Sequence, residues 1–163
     1  MIKEVSGDIL SSKAQAVAHG VAPNDPHHSG LALQLRERWP AMYKDFRHYC
    51  QSQHPHPGTL WAWMGSNGTR IVSLFTQEAA QGRHGGNPGP ATLQHAGHAL
   101  RELQKLAVAE KFTSIALPRL GTGVGRLAWT DVQPLITQHL GGLGIPVLVY
   151  TTYHTGQQAD EGL

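Results

Sequence analysis

The sequence contains a single cysteine, Cys50, so no disulfide bond can form within the chain. The same shortage argues against a structural zinc site built from several cysteines. The 11 histidines are scattered along the chain rather than set at the spacing of metal ligands. We therefore expect neither a bound metal nor a cofactor.

The chain also lacks an excess of charge of either sign. Lysine and arginine number 13 against 11 aspartates and glutamates, and charged residues make up 15% of the sequence. A net charge of +2 is too small to indicate nucleic acid as the main partner, even with a pI near 8.9.

Long apolar runs are missing as well. Residues 1–5 carry charge where a secretory signal would need an apolar segment, and no run is long enough to span a bilayer. These features predict a cytoplasmic protein with no membrane partner. The length of 163 residues is enough for one buried core. We expect a single domain at 1–155 and a flexible C-terminal tail at 156–163.

A glycine-rich stretch at 117–126 is the most distinctive segment of the chain. A buried strand is predicted just before it, at 112–117. A helix is predicted after it, with Thr130 as N-cap and Gln133 completing a capping box. The N–H groups of such a loop can converge on a diphosphate, or the loop can be a tight structural turn. The motif alone leaves both readings open, because it matches neither the dinucleotide fingerprint nor the nucleoside triphosphate loop.

Strands and helices alternate along the rest of the chain. Apolar and alternating patterns predict strands at 2–5, 16–20, 58–64, 69–75, 112–117 and 145–153. Helical patterns predict helices at 31–39, 41–50 and 91–110, with Pro40 between the first two and Leu93 on the apolar stripe of the third. A final helix follows Thr130 and ends at Gly141. This order predicts an α/β protein, a three-layer α/β/α sandwich with a central mixed β-sheet.

Three loops are expected to meet at the carboxyl ends of the strands, where such sheets bind ligands. They follow His19, Phe75 and Leu117. The middle one, at 76–90, is long for a compact domain, which is typical of a functional segment.

Three motifs in this order resemble those of a macrodomain. They are the segments at 7–10, 29–32 and 118–123, and the similarity extends from Ile2 to about Tyr153. The sequence is most similar to the branch that contains terminal ADP-ribose protein glycohydrolase and the antitoxins that remove ADP-ribose from DNA. The segment at 117–121, together with Arg126, Leu127 and Trp129, carries that closer resemblance.

The resemblance implies ADP-ribose as the ligand. Asp8 would accept a hydrogen bond from the adenine amino group, and the alternative interpretation is a turn-forming aspartate. The loop from Gly121 to Gly125 would hold one phosphate, and the start of the first helix would approach the other. The binding residues expected in this way are Asp8, Ile9, His19, Ser29, Gly30, Leu31, Thr76, Pro118, Leu120, Gly121, Thr122, Gly123, Val124, Gly125, Arg126 and Tyr153.

The sequence departs from this branch at two catalytic positions. The lysine that the glycohydrolases use corresponds to Gln77, and their aspartate corresponds to Gly125. Neither residue can form a Schiff base or act as a general base, so a covalent lysine route is closed. The remaining candidates are His19, Asn24, Asp25, His27, His28 and His84. His19 and Asn24 also match positions of the yeast-type ADP-ribose-1''-phosphate phosphatases.

Three functions follow from the resemblance. The first, which we favour, is a hydrolase that releases ADP-ribose from an ester-linked glutamate or aspartate of a modified protein by a lysine-independent, water-mediated route. The second is a phosphatase acting on ADP-ribose-1''-phosphate, and the third is a reader that binds ADP-ribose without chemistry. The expected partner is ADP-ribose or an ADP-ribosylated protein, with ADP-ribosylated nucleic acid left open, and the expected state is a monomer.

Overall fold

The computed structural model describes residues 1–79, 88–123 and 125–163. Within these ranges the strands are β1 (Ile2–Gly7), β2 (Ala16–Val21), β3 (Leu60–Met64), β4 (Arg70–Phe75), β5 (Ile115–Pro118) and β6 (Val147–Tyr153). The α-helices are α1 (Gly30–Arg38), α2 (Pro40–Gln53), α3 (Leu93–Ala109) and α4 (Trp129–Leu140). A short 3₁₀ turn, Ile9–Ser11, follows β1.

The strands form one mixed sheet in the order β1-β6-β5-β2-β4-β3. Strand β3 pairs with β4 in antiparallel fashion, and the other neighbouring pairs are parallel. The register sets His19 opposite Ser73 and Pro118 opposite Tyr150. The carboxyl ends of the parallel strands therefore lie along one edge, which is where an open α/β sheet binds its ligand.

Helices cover both faces of the sheet. On one face, Leu100 of α3 and Ile136 of α4 pack in a cluster with Val72. On the other face, Phe46 of α2 packs in a second cluster with Ile71. Ile71 and Val72 are neighbours on β4, and successive strand residues point to opposite faces. The predicted α/β/α sandwich with a mixed sheet is confirmed.

The sequence predicts helix α3 correctly except for the burial of its first residue. The side chain of Thr92 accepts a hydrogen bond from the His95 N–H (3.0 Å), which caps the first turn. Ala96, Leu100 and other residues at helical spacing are buried. Leu93, which we placed on the apolar stripe, is 40% exposed. A helical side chain packs over the turn that precedes its own residue. Leu93 is the first residue of α3 and has no preceding turn to cover, so its side chain stays exposed.

The predicted capping box of α4 is wrong. The N-cap is Ala128, without a side-chain hydrogen bond, so Thr130 already lies inside the first turn. Gln133 is used elsewhere, because its Nε2 donates to Oε1 of Glu4 at 3.0 Å. Strand β5 likewise begins at Ile115 rather than at residue 112.

The segment that follows β6 packs against the domain. We call residues 154–161 the strap. Ala159 and Glu161 are each only 6% exposed, and the Asp8 N–H donates to the Gln157 carbonyl at 2.8 Å. The prediction of a flexible tail at 156–163 does not fit this placement, because the contacts that hold the strap involve residues near the other end of the sequence.

Candidate functional site

Three adjoining cavities form a groove along the carboxyl ends of the strands. The apolar cavity, about 470 Å³, is lined by Gly7, Ile9, Gly30, Leu31, Leu33, Gln34, Pro118, Tyr150 and Tyr153. The middle cavity, about 240 Å³, is lined by His19, Gly20, Asp25, Ser29, Gly30, Leu31, Ala32, Gln77, Pro88, Pro118, Arg119, Leu120, Gly121, Gly123 and Gly125. The outer cavity, about 490 Å³, is lined by Asp25, Pro26, His28, Ser29, Pro88, Pro90, Gly123 and Arg126. Neighbouring cavities share lining residues, and the middle one receives residues from all three loops predicted to meet there.

The glycine-rich loop forms one wall of the middle cavity. Gly121 has a φ of +70°, and a Cβ there would come within 2.9 Å of Leu127 Cδ1. Gly123 is different, because a Cβ there would meet none of the described residues within 4 Å. The N–H groups of Gly121, Thr122 and Gly123 donate to no other backbone group among the described residues. They are therefore available to an anion in the cavity.

The first turn of α1 lines the same cavity. Its N-cap, Ser29, is extended and makes no side-chain capping bond, and Gly30 opens the helix with a φ of +59°. The first N–H groups of an α-helix have no partner within the helix. The amides at the start of α1 therefore add a second set of donors, aided by the positive end of the helix dipole.

The apolar cavity lies beside the Asp8 turn. Ile9 and Tyr150 line it and are nearly buried, whereas Tyr153 is half-exposed and its hydroxyl accepts a hydrogen bond from Gln34 Nε2 (2.9 Å). Asp8, 6% exposed, does not itself line the cavity. Its Oδ1 accepts the Leu10 N–H at 3.0 Å. A carboxylate oxygen has two lone pairs, so this role in the turn leaves acceptor capacity for a ligand.

His19 lies at the floor of the middle cavity, near the end of β2. Its side chain is 2% exposed, and burial lowers its pKa to about 4. Its Nε2 has no hydrogen-bond partner among the described residues. At neutral pH the imidazole is therefore uncharged, with one nitrogen able to donate and the other able to accept.

Asp25 lines both the middle and the outer cavity. Its Oδ2 accepts the Ala22 N–H (3.0 Å) and its Oδ1 accepts the His27 N–H (2.9 Å). Burial raises the pKa of this carboxyl, and these two backbone hydrogen bonds oppose the rise. Asp25 is thus a carboxylate of increased basicity that is held rigidly at the edge of the groove.

The other catalytic candidates of the first loop, His27, Asn24 and His28, lie in different environments. His27 is fully buried against Phe46 and Tyr43, with ring centroids 4.7 and 5.0 Å away, and burial lowers its pKa to about 3. It lines none of the three cavities and is a core residue. Asn24, exposed with a φ of 59°, also lies outside the three cavities. His28 is exposed and lines the outer cavity.

Gln77 and Gly125 stand where the glycohydrolases that the sequence resembles have a catalytic lysine and aspartate. Each of the two residues has a structural role here. Gln77 is 6% exposed, lines the middle cavity, and donates from Nε2 to the Gly89 carbonyl at 3.1 Å. At Gly125, a Cβ would lie 2.7 Å from both the Ala91 Cβ and the Gly121 oxygen. This backbone has no room for a side chain at position 125.

The remaining predicted site residues are spread around the loops. Arg126, with a φ of 66°, lines the outer cavity, and Leu120 lines the middle one. Thr76 is fully buried against Gly20, and Thr122 donates from its hydroxyl to the Arg119 carbonyl. Neither threonine lines the three cavities. Two further predicted residues, His84 and Val124, lie outside the described residues.

Sequence reasoning missed several lining residues. Gln34 lies three positions after Leu31 on α1, a spacing that sets both on one helix face and would have identified it. Arg119 stands inside the glycine-rich stretch and lines the middle cavity. Pro88 lines two cavities, but nothing in the irregular middle loop indicates it from the sequence.

Across residues 1–79, 88–123 and 125–163, no three His, Cys, Asp or Glu side chains are grouped to hold a metal ion. In the same part of the chain, none of the helices combines the length and the apolar character that crossing a membrane requires.

The chain has recognisable relatives among characterised proteins, although no protein-family model matches it. The DNA ADP-ribosyl transferase–DNA ADP-ribosyl glycohydrolase fusion protein of Thermosipho africanus is 27% identical over 159 residues, covering 90% of this chain and 40% of that protein. The human ADP-ribose glycohydrolase OARD1 is 22% identical over 151 residues, covering 92% and 91%. The chain thus spans about 40% of the length of the bacterial relatives it matches.

Solved structures show the same likeness. The macrodomain of Thermus aquaticus DarG superposes with a TM-score of 0.80 at 26% identity, covering 93% of this chain and 98% of that one. Thermosipho africanus DarTG, solved in complex with ADP-ribose, gives a TM-score of 0.81 at 22% identity, covering 96% and 42%. The chain therefore has the macrodomain fold, and it is similar to the branch that contains the DarG macrodomains and terminal ADP-ribose glycohydrolase.

Proposed function

We propose that this chain binds ADP-ribose along the groove and hydrolyses the bond that joins ADP-ribose to a modified macromolecule. The observation that carries the proposal is the middle cavity. The available amides of the glycine-rich loop line it together with those at the start of α1. Converging backbone N–H groups and a helix N-terminus are suited to a diphosphate.

The cavities on either side suit the two ends of the ligand. The apolar cavity, lined by Ile9 and Tyr150, would take the adenine base by apolar and aromatic contact. Asp8, with acceptor capacity remaining, would receive the adenine amino group. The outer cavity, with the polar side chains of Asp25, His28 and Ser29, would take the distal ribose.

Asp25 is the side chain proposed to activate water. It lies along both the middle and the outer cavity, next to the position proposed for the distal ribose. Its raised pKa increases its ability to take a proton from water, as a general base must. The neutral imidazole of His19 would hydrogen-bond to a ligand hydroxyl from the floor of the middle cavity.

An ester linkage makes this chemistry feasible without a lysine. Water would attack the anomeric carbon as Asp25 accepts its proton, and the bond from that carbon to the carboxylate oxygen would break. A carboxylate with an ordinary pKa of about 4 departs without being protonated. Orientation of the water and one base therefore suffice, so that Gln77 and Gly125 need not supply catalytic groups.

A second carrier has support of its own. The bacterial relatives are named DNA ADP-ribosyl glycohydrolases, which favours a nucleobase-linked ADP-ribose as the alternative substrate. Such a bond has a poorer leaving group than a carboxylate, and we therefore keep the ester as the principal proposal.

The test is release of free ADP-ribose from three substrates. The protein is incubated with a glutamate-linked ADP-ribosylated protein, with ADP-ribosylated DNA and with ADP-ribose-1''-phosphate, and the free product is followed by chromatography. We expect release from the ester-linked protein. Binding without release from any substrate would contradict hydrolysis and indicate a reader, and release from the 1''-phosphate alone would indicate the phosphatase.

A pair of variants tests the role of Asp25. Asp25→Asn removes the base, and activity should fall by at least about tenfold, the lower range of a general-base contribution. The control is Asp45→Asn, an exposed residue of α2 whose new amide oxygen can still accept the Trp63 Nε1–H. Both variants must retain ADP-ribose binding for the comparison to hold. Full activity in folded Asp25→Asn would contradict the assignment.

A further inference from the structure

Glu161 is a buried carboxylate that the proposed chemistry does not use. It is 6% exposed, and each of its two carboxylate oxygens accepts at least one hydrogen bond. Its Oε2 accepts from the hydroxyls of Ser12 (2.5 Å) and Tyr150 (2.6 Å), and its Oε1 accepts the Lys13 N–H (2.8 Å). A buried carboxylate is tolerated only when such donors compensate its lost hydration. Glu161 therefore anchors the far end of the strap to residues 12–13, near the start of the chain, and to β6.

The other end of the strap holds the Asp8 turn. The Gly156 N–H donates to Asp8 Oδ2 at 2.8 Å, and the Asp8 N–H donates to the Gln157 carbonyl at 2.8 Å. The contact is close, because a Cβ at Gly7 would lie 2.8 Å from the Gln157 oxygen. The strap thus fixes both the main chain and the carboxylate of Asp8.

Residues held by the strap also line the apolar cavity. Gly7 and Tyr150 belong to its wall, and Asp8 lies between Gly7 and the lining residue Ile9. We infer that the strap determines the preference for adenine, with Glu161 as the positioning residue that keeps the strap in place. The inference rests on the proposed function, since it assigns the apolar cavity to the base of ADP-ribose.

The chemistry of the base makes this preference measurable. The carboxylate of Asp8 can only accept hydrogen bonds, so it favours the amino group of adenine. Hypoxanthine has an oxo group at that position, and its lone pairs would oppose those of the carboxylate. Discrimination between the two bases requires Asp8 to stay at a fixed position, which is what the two strap bonds provide.

The experiment compares ADP-ribose with its hypoxanthine counterpart, inosine diphosphate ribose, by calorimetry. The wild type should bind ADP-ribose at least about tenfold more tightly, in the range of a hydrogen bond to a charged group. Glu161→Gln removes the negative charge and places an amide N–H against the groups that donate to Glu161. The preference for ADP-ribose over inosine diphosphate ribose should then fall severalfold. The control, Glu102→Gln, changes a glutamate of α3 whose side chain is 44% exposed, and it should leave the preference unchanged.

A second variant guards against a folding defect in the first. Ser12→Ala removes one donor to Glu161 without changing a residue that lines the three cavities, and it should lower the preference in the same direction. An unchanged preference in the folded variants, or an equal loss of affinity for both ligands, would overturn the inference. A wild type that binds neither ligand would instead overturn the proposed function itself.

Discussion

Replacing Gly123 with glutamate tests whether the glycine-rich loop cradles a diphosphate. Gly123 lines both the middle and the outer cavity, and its φ is outside the left-handed region. A Cβ there would contact nothing within 4 Å in the part of the chain that the structure describes. The backbone therefore accepts a side chain, and the folded protein should keep a near-normal melting temperature. Gly121 and Gly125 would not serve, because a Cβ at either position would clash with its neighbours.

The expected loss of binding follows from charge. At a separation of about 5 Å and an effective dielectric constant of about 20, one carboxylate and one phosphate charge repel by about 3 kcal/mol. Since 1.4 kcal/mol corresponds to a tenfold change in affinity, Gly123→Glu should weaken ADP-ribose binding by about a hundredfold or more. The neutral Gly123→Gln should lose less, which separates bulk from charge.

Calorimetric titration with ADP-ribose measures the effect, and Gly142→Glu is the matched control. Gly142 also has open space at its Cβ position and a φ outside the left-handed region, but it lies after α4, away from the groove. Binding by Gly142→Glu should equal that of the wild type. If folded Gly123→Glu also bound with wild-type affinity, the loop would be a structural turn and the ligand site would lie elsewhere.

Three further predictions concern single titratable or hydrogen-bonding groups. Asp8→Asn should weaken ADP-ribose binding by about 1.5–3 kcal/mol, the value for a hydrogen bond to a charged group, and unchanged affinity in calorimetry would show that adenine is read elsewhere. The pKa values of His19 and His27 fall to about 4 and about 3 in the folded protein, below the ordinary 6.5. Their neutral forms therefore stabilise the fold fully above pH 6.5, and this stability is lost as the pH falls towards 4. The free energy of unfolding measured in urea should fall by on the order of 2 kcal/mol per histidine between pH 6.5 and 5, and His27→Phe should make this fall smaller. Equal stability at both pH values would refute the prediction. Because burial raises the pKa of Asp25, the hydrolysis rate should decline on acidification at a pH above the ordinary 3.8 of an aspartate, and a flat pH profile would remove Asp25 as the base.

Patterns repeated along the chain were enough to predict the fold. A short apolar run marks β4, which is buried on both faces of the sheet. The buried stripe of α3 repeats at helical spacing, because one side of that helix faces the core. Pro40 was read as an interruption, and it begins α2, where its missing N–H costs nothing.

Contacts between distant residues could not be predicted in the same way. Ser12 and Glu161 are 149 positions apart, and neither local composition nor periodicity relates them. The strap therefore looked like a polar tail. The same holds for the capping box, because Thr130 matches the pattern but α4 begins before it.

The candidate site was only partly predictable for a related reason. The loop proposed to bind phosphate could be located from its glycines, since close backbone approach needs that residue type. The histidine-rich first loop could not be sorted by sequence, because residue type does not tell which side chains turn inward. In the structure, His27 packs in the core and His28 lines the outer cavity. Asp25 lines both the middle and the outer cavity, which is why we propose it as the general base.

ADP-ribose binding in the groove is tested most directly by calorimetric titration of the wild-type protein with ADP-ribose, accompanied by a thermal shift measurement. An apolar cavity for the base and two sets of backbone donors for the phosphates predict binding in the micromolar range or tighter, with a raised melting temperature. No heat and no thermal shift at millimolar ADP-ribose would contradict the assignment of the groove and every role derived from it.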